Sequence, residues 1–154
     1  MKRLIPLLNQ MSQKQPASFK RKLGEDDLDR LSEVHDKIVD WVEDNCASIL
    51  NSVLGENVEI YHAERERPLK TKRDAVGGFV DLHIDALFAG AWTQNGICFE
   101  IKSRINQTGY LFRQLQWYKE LYDRENLKFI VVSPDTRHRN RIRENGYHFC
   151  AFED

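Results

Sequence analysis

The chain has 154 residues, the length of one domain that can build its own hydrophobic core. Hydrophobic residues make up 41% and charged residues 31%, a balance typical of soluble globular proteins and not of disordered or membrane chains. The formal net charge of −1 argues against a surface that is basic all over. No apolar run approaches the roughly 20 residues of a transmembrane helix. We therefore expect no membrane association and an intracellular, cytoplasmic location (that of the host cell if a virus or phage encodes the chain).

The cysteines indicate no metal cluster. Cys46, Cys98 and Cys150 are widely spaced and odd in number, and no C-x-x-C pair occurs. A zinc ribbon or an iron–sulfur cluster would need such pairs. We expect reduced cysteines in the core.

The first elements in chain order are an arm and then helical sequence. Residues 1–25 are rich in Gln, Ser, Lys and Pro without sustained periodicity, which predicts a flexible or partner-binding arm. A single domain is expected over residues 26–154. Apolar residues at spacings of three and four then predict a helix; they are Leu28, Leu31, Val34, Ile38, Trp41 and Val42. The pattern continues, in the same helix or in a second one after Asn45, until Gly55 supplies a C-terminal stop.

Three strand-like segments come next. "NVEIYHAERER" alternates and is closed by Pro68, and a basic loop follows it through Arg73. "GGFVDLHIDALFAG" is opened by the pair Gly77-Gly78. An Asn95-Gly96 turn signal then leads into the third strand, which ends in "CFEIKS".

The last third of the sequence predicts a helix, a buried strand, a short basic helix and a final strand. The first of these helices would run from about Gly109 to Arg124, capped by Asn106 or Thr108. Its inward residues would be Leu111, Leu115, Tyr118 and Leu121. "LKFIVVS" is continuously apolar, as in strands buried on both faces, and "DTRHRNRIRENG" and "YHFCAF" complete the chain. The whole order predicts an α/β fold with a mixed central sheet and helices on both sides.

Charged residues interrupt the two most apolar strands. Glu100 and Lys102 flank Ile101 and point to one face, because side chains in a strand alternate. Asp81 interrupts "GFVDLHI" in the preceding strand and can approach Glu100 if the two strands pair. Carboxylates suit a hard cation such as Mg²⁺, and a lysine can orient the attacking hydroxide. Asp85 is a rival for Asp81, since both share a face with His83.

Three segments in this order resemble the PD-(D/E)XK nuclease superfamily in its RecB-like branch. They are "GFVD" at 78–81, "FEIKS" at 99–103 and "QLQWY" at 114–118. The resemblance implies a restriction-endonuclease-like αβββαβ core over about residues 27–133, followed here by a C-terminal helix and strand. It also implies Mg²⁺ or Mn²⁺ as the cofactor and DNA as the substrate.

The roles carried over by this resemblance fall on named residues. Asp81 and Glu100 would bind the metal, with the backbone carbonyl of Ile101 as a further ligand, and Lys102 would serve catalysis. Gln114 and Tyr118 would support the site or the substrate phosphates. The Pro of the superfamily's name is absent, since Val80 precedes Asp81. Many members place a Glu of the first helix beside the metal; both Glu33 and Glu43 are candidates, and we favour Glu33.

Basic runs could contact phosphates, although a solvated surface is the simpler interpretation. The candidate nucleic-acid-binding residues are Lys70, Lys72, Arg73, Arg113, Arg137, Arg139 and Arg141.

The expected function is metal-dependent hydrolysis of DNA phosphodiester bonds, by an exonuclease or an enzyme of recombination or repair. Junction resolution and transposon-end cleavage stay open, and both commonly need two active sites, hence a homodimer. An alternative is a nucleic-acid-binding or assembly subunit in a larger complex, with weak or partner-dependent cleavage.

Overall fold

The computed structural model describes residues 32–55, 57–88, 94–122 and 126–153. The predicted arm, and Leu28 and Leu31 of the predicted first helix, lie outside these ranges. The described helices are α1 (Glu33–Asp44), α2 (Cys46–Leu54), α3 (Thr108–Tyr122) and α4 (Arg139–Glu144). The described strands are β1 (Val58–Lys70), β2 (Val76–Phe88), β3 (Gln94–Ile101), β4 (Leu127–Ser133) and β5 (His148–Ala151). The predicted order of helices and strands is confirmed.

The strands form one five-stranded mixed sheet in the order β1-β2-β3-β4-β5. The first three strands pair antiparallel through successive hairpin connections. The pairs β3–β4 and β4–β5 are parallel, and their crossovers contain α3 and α4. Two neighbouring parallel strands need a connection of a dozen or more residues, which usually contains a helix. The long connection that contains α3 therefore allows β4 to run parallel to β3.

Two hydrophobic clusters involve different helices. One joins α1 and α2 to the sheet through residues such as Ile38, Leu50 and Ile84. The other joins α3 and α4 to it, with Leu115 and Ile142 among its fully buried members. No helix of the described ranges has both the length and the apolar composition needed to cross a membrane.

The buried face of α1 differs from the predicted stripe. Val34 is 51% exposed, whereas Val39, which lies outside that stripe, is fully buried together with Ile38 and Val42. The helix begins after Ser32, whose hydroxyl accepts a hydrogen bond from the N–H of His35 at 3.1 Å. The inward face is thus rotated towards His35, which is 2% exposed.

Two turn signals were misplaced in the sequence prediction. Asn95 and Gly96 lie inside β3, paired with Ala86 and Asp85, so the β2–β3 connection falls at 89–93, outside the described residues. Pro68 does not end the first strand either, because β1 continues to Lys70. β1 is an edge strand, where a residue without an N–H is tolerated.

Candidate active site

Two buried carboxylates lie at one end of the β2–β3 pairing. Leu82 pairs with Phe99 in an antiparallel register. Asp81 directly precedes Leu82 and Glu100 directly follows Phe99, and each is 1% exposed. Their predicted approach across the sheet stays a prediction.

Asp81 is oriented by the chain on two sides. The N–H of Ile101 donates to Oδ2 at 2.8 Å, and Nε2 of His35 lies 3.1 Å from Oδ1. These contacts fix the direction of the Asp81 carboxylate.

Lys102 follows β3 directly and lies beside Glu100. Its Nζ lies 3.4 Å from Oε1 of Glu100, and Lys102 is 3% exposed. The N–H of Lys102 donates to the carbonyl of Val132 at 3.0 Å, so the end of β4 holds its backbone. A buried ion pair contributes little net stability, because desolvation of both charges opposes their attraction. The contribution of this ion pair to stability therefore does not explain why both charges are buried.

His35 is the residue of this cluster that the sequence analysis did not assign. It reaches Asp81, whereas Glu33, the favoured first-helix ligand, is exposed. Residues two positions apart in a helix point about 200° apart, so both cannot face the sheet. Glu43 forms a short ion pair with Arg65 and is also exposed. No sequence signal singles out His35, because the buried face that it shares with Val39 is set by tertiary packing.

The donor set fits a cation that uses few protein ligands. Within the four described ranges, no three His, Cys, Asp or Glu side chains are arranged to hold a metal ion by themselves. Zinc would ordinarily need such a set. Magnesium keeps several waters and takes one or two carboxylates, and Asp81 and Glu100 are the buried candidates for that role. The role of the Ile101 carbonyl as a metal ligand stays a prediction.

The predicted Gln114 and Tyr118 pair exists on α3. Nε2 of Gln114 donates to the Tyr118 hydroxyl at 2.9 Å, and Tyr118 is buried. The Tyr118 ring packs against Gly78, where a Cβ would lie 2.6 Å from its Cε1. Gly78 is therefore needed for close approach of α3 to β2. The contact between α3 and β2 therefore lies at Gly78, three residues before Asp81 along the strand.

A loop clamp holds the segment that follows Lys102. Oδ2 of Asp135 accepts from the N–H of Ile105 at 3.0 Å, and Arg137 bonds both Asp135 and the carbonyl of Ile105. The hydroxyl of Ser133 accepts from the N–H of Asp135. The hydrogen bonds from Arg137 hold the pKa of the Asp135 carboxyl well below its usual range, with a contribution from the Ile105 N–H. The clamp ties the β3–α3 loop to the end of β4.

The candidate nucleic-acid-binding residues are spread over several environments. Lys70 pairs with Asp74, and Arg137 belongs to the clamp. Arg113 lies over the Tyr110 ring and Arg139 over the Phe149 ring. The remaining three, Lys72, Arg73 and Arg141, are exposed. Phosphate binding stays a prediction for all seven, and for Arg137 its part in the clamp is a sufficient structural explanation.

A second polar cluster lies on the same two strands. His83 is fully buried; its Nδ1 is 2.9 Å from the Tyr122 hydroxyl and its Nε2 is 3.1 Å from Oδ1 of Asp85. Sγ of Cys98 lies 3.9 Å from Nδ1. Burial raises the pKa of the Tyr122 hydroxyl well above its usual value, so the hydroxyl stays protonated at neutral pH. Asp85, the rival of Asp81, belongs to this cluster.

The cysteines are free thiols, as expected. Cys46 and Cys98 are buried, and Cys150 is half-buried. Burial, with a smaller effect of Glu43, raises the pKa of Cys46 to about 12, and burial also raises the pKa of Cys150. The raised pKa values keep the thiols of Cys46 and Cys150 protonated at neutral pH.

Comparison of the sequence with protein-family models and with curated proteins gives no match. Among solved structures, the crystal structure of a repair endonuclease from Pyrococcus abyssi is similar over 86% of this chain and 49% of its own, with 20% identity and a TM-score of 0.51. The EndoMS–dsDNA2 complex matches 90% of this chain and 49% of its own, with 17% identity and a TM-score of 0.48. The chain thus spans about half the length of either structure. The first likeness shows a fold shared with a repair endonuclease.

Proposed function

We propose that this chain is a metal-dependent nuclease that hydrolyses phosphodiester bonds in DNA. The observation that carries the proposal is the burial of Asp81, Glu100 and Lys102 at one end of the β2–β3 pairing, with Nζ of Lys102 3.4 Å from Oε1 of Glu100. Burial disfavours ionised groups unless opposite charge lies close by, and a bound cation would supply such charge to the two carboxylates. The fold shared with a repair endonuclease supports a nuclease of the repair type.

Each residue of the site has a distinct proposed role. Asp81 and Glu100 would hold Mg²⁺ or Mn²⁺, with the Ile101 carbonyl as a further ligand. A cation bound there would offset charge on a phosphate and lower the pKa of water. Lys102 would orient the attacking water and stabilise negative charge that develops on the phosphate. Gln114 and Tyr118 would position the nucleic-acid strand.

His35 would act as a positioning residue for Asp81. An imidazole that donates to a metal-binding carboxylate fixes the direction of that carboxylate, and loss of such a partner typically lowers metal affinity or activity about 10–100-fold. Its location on α1 gives this helix a part in the site. The order of α1, three antiparallel strands, α3 and a parallel β4 supports a restriction-endonuclease-like core.

The cleavage test uses supercoiled, linear, single-stranded and branched DNA with Mg²⁺, Mn²⁺ or EDTA. We expect cleavage to require the metal and to fall at least about a hundredfold in Glu100→Gln. The substitution removes the negative charge of a proposed metal ligand and leaves the shape of the side chain nearly unchanged. Glu59→Gln is the matched control, since Glu59 is an exposed strand glutamate. Cleavage in EDTA, or equal cleavage by both variants, would overturn the proposal.

His35 is tested by Mn²⁺ titration, not by cleavage alone. His35→Leu should weaken Mn²⁺ binding about 10–100-fold, and His35→Gln, which keeps a donor, should recover part of it. Equal Mn²⁺ affinity in wild type and His35→Leu would reduce His35 to a packing residue.

A further inference from the structure

One face of α3 carries exposed aromatic side chains and a cation. Tyr110 is 49% and Trp117 is 43% exposed. The guanidinium carbon of Arg113 lies 5.5 Å from the centroid of the Tyr110 ring. Residues three, four and seven apart lie on one side of a helix. Tyr110, Arg113 and Trp117 therefore form one stripe, named here the α3 platform.

The Trp117 ring is held in a fixed orientation. Its Nε1–H donates to the carbonyl of Gly77 at 3.1 Å. A Cβ at Gly77 would lie 3.4 Å from Cζ2 of Trp117 and 3.2 Å from Cγ2 of Thr71, so the turn after β1 borders the ring. Within that turn, the N–H of Thr71 donates a hydrogen bond to the carbonyl of Ala75 at 2.7 Å. A ring that is already fixed loses little entropy when a ligand stacks on it.

Three basic side chains lie on the α3 platform or on the turn beside it. Lys72 and Arg73 are exposed on the turn that borders Trp117, and Arg113 lies within the stripe. The nearby acidic groups have partners of their own: Asp74 pairs with Lys70, and Glu120 accepts from Gln116. Aromatic rings beside lysine and arginine suit a polyanion with flat bases.

The platform adjoins the candidate active site. Gln114 lies between Tyr110 and Trp117 in sequence and donates to Tyr118, whose ring packs on Gly78. Gly78 precedes Asp81 by three strand residues, a distance of about 10 Å. A strand of nucleic acid that contacts the platform can thus extend into the site.

We propose that the α3 platform stacks unpaired bases, and that the substrate is DNA with a single-stranded segment beside the scissile bond. Bases of an intact duplex already stack on one another, so only unpaired bases offer their faces to Tyr110 and Trp117. The inference rests on the proposed function for the cleavage step alone. Stacking is measured by binding, without chemistry.

The experiment compares two labelled strands of equal length, oligo(dT) and an abasic strand that has the phosphates without bases. Fluorescence anisotropy in EDTA gives the Kd of the full chain for each. We expect wild type to bind oligo(dT) more tightly, and Trp117→Ala to raise that Kd about tenfold with little effect on the abasic strand. Tyr61→Ala is the matched control, because Tyr61 is 47% exposed on β1.

Further variants keep the test decisive. Trp117→Phe retains a ring and should keep most of the affinity, and Tyr110→Ala should weaken oligo(dT) binding even if Trp117→Ala does not fold. Equal binding of both strands by wild type would overturn the proposal, as would an equal loss on both in Trp117→Ala. Self-association that Trp117→Ala abolishes, without base dependence, would make the platform a protein interface instead. Base-dependent binding without any cleavage would leave the platform standing and remove the nuclease proposal.

Discussion

Two polar clusters occupy the same pair of strands, and they differ in the charges they contain. The cluster of His83, Asp85 and Tyr122 contains one carboxylate, and both ring nitrogens of His83 face a polar group. The cluster of Asp81, Glu100 and Lys102 contains two buried carboxylates and an ammonium group. The first cluster links α3 to the sheet through the contact of Tyr122 with His83. The second contains the groups that the proposed metal site needs.

The difference shows that burial of an ionisable residue does not by itself identify a functional site. Both clusters would attract attention in a search for buried histidines and aspartates. The number of like charges separates them: a polar network with one carboxylate can rigidify the fold, whereas two buried carboxylates cost stability unless cations balance their charge. Substitutions in and around the two clusters would sharpen or break this comparison.

The largest effect is expected for Lys102→Met. Cleavage should fall about 10²–10³-fold, because a charge aimed at the reacting phosphate is lost. Mn²⁺ affinity should stay equal or rise, since a positive charge leaves the neighbourhood of Glu100. Single-turnover cleavage and calorimetric Mn²⁺ titration measure the two effects. Weaker Mn²⁺ binding with unchanged cleavage would reverse the roles given to Lys102 and Glu100.

His83→Ala should instead reduce stability by about 2–4 kcal/mol, because a buried ring and its contacts with Tyr122 and Asp85 are removed together. Urea unfolding measures the loss. Tyr122→Phe, which removes only a hydroxyl, should cost about 1 kcal/mol. In both variants the Mn²⁺ affinity of the folded protein should match wild type. A stable His83→Ala protein that no longer binds Mn²⁺ would move the functional site to this cluster.

Gly78→Ala tests the approach of α3 to β2. The new Cβ would meet the Tyr118 ring at 2.6 Å, and overpacking of this kind costs about 1–3 kcal/mol. Gly109→Ala is the matched control, because its Cβ would meet only an Arg113 nitrogen, at 3.9 Å. Thermal unfolding should separate the two variants. Equal Tm values would mean that Tyr118 is not seated against Gly78.

The smallest effect concerns the clamp and its pH dependence. The Asp135 carboxyl has a folded pKa below its ordinary value of 3.8, so its contribution is fully present above that value and is lost as pH falls through the folded pKa. Wild type should therefore be more stable than Asp135→Asn by a constant amount near neutral pH. The gap should shrink as pH is lowered below about 4. Urea unfolding at several pH values checks this; a gap that widens in acid would contradict it.

Much of the fold could be predicted because its signals are local. Strand alternation, the apolar run of β4 and the inward residues of α3 all follow from hydrophobic periodicity. The turn signal at Asn95-Gly96 failed because strand pairing across β2 overrode a local preference. The rotation of α1, with Val39 inside and Val34 outside, is set by tertiary packing, which periodicity over one short helix does not determine.

The candidate site was predictable in the part that lies on strands. Asp81, Glu100 and Lys102 are charged residues within or directly after apolar runs, and all three are buried. His35 and the Asp135 clamp depend on contacts between residues distant in sequence. Nothing in the local sequence around His35 shows that it meets Asp81.

The most direct test of the central claim is a calorimetric titration of Mn²⁺ into wild type, Glu100→Gln and Asp85→Asn. Asp85→Asn changes a carboxylate on the same two-stranded unit but in the other cluster. The account predicts equal affinity for wild type and Asp85→Asn, and at least about a hundredfold weaker binding for Glu100→Gln. Loss of binding in Asp85→Asn with retention in Glu100→Gln would contradict it, as would the same affinity in all three proteins.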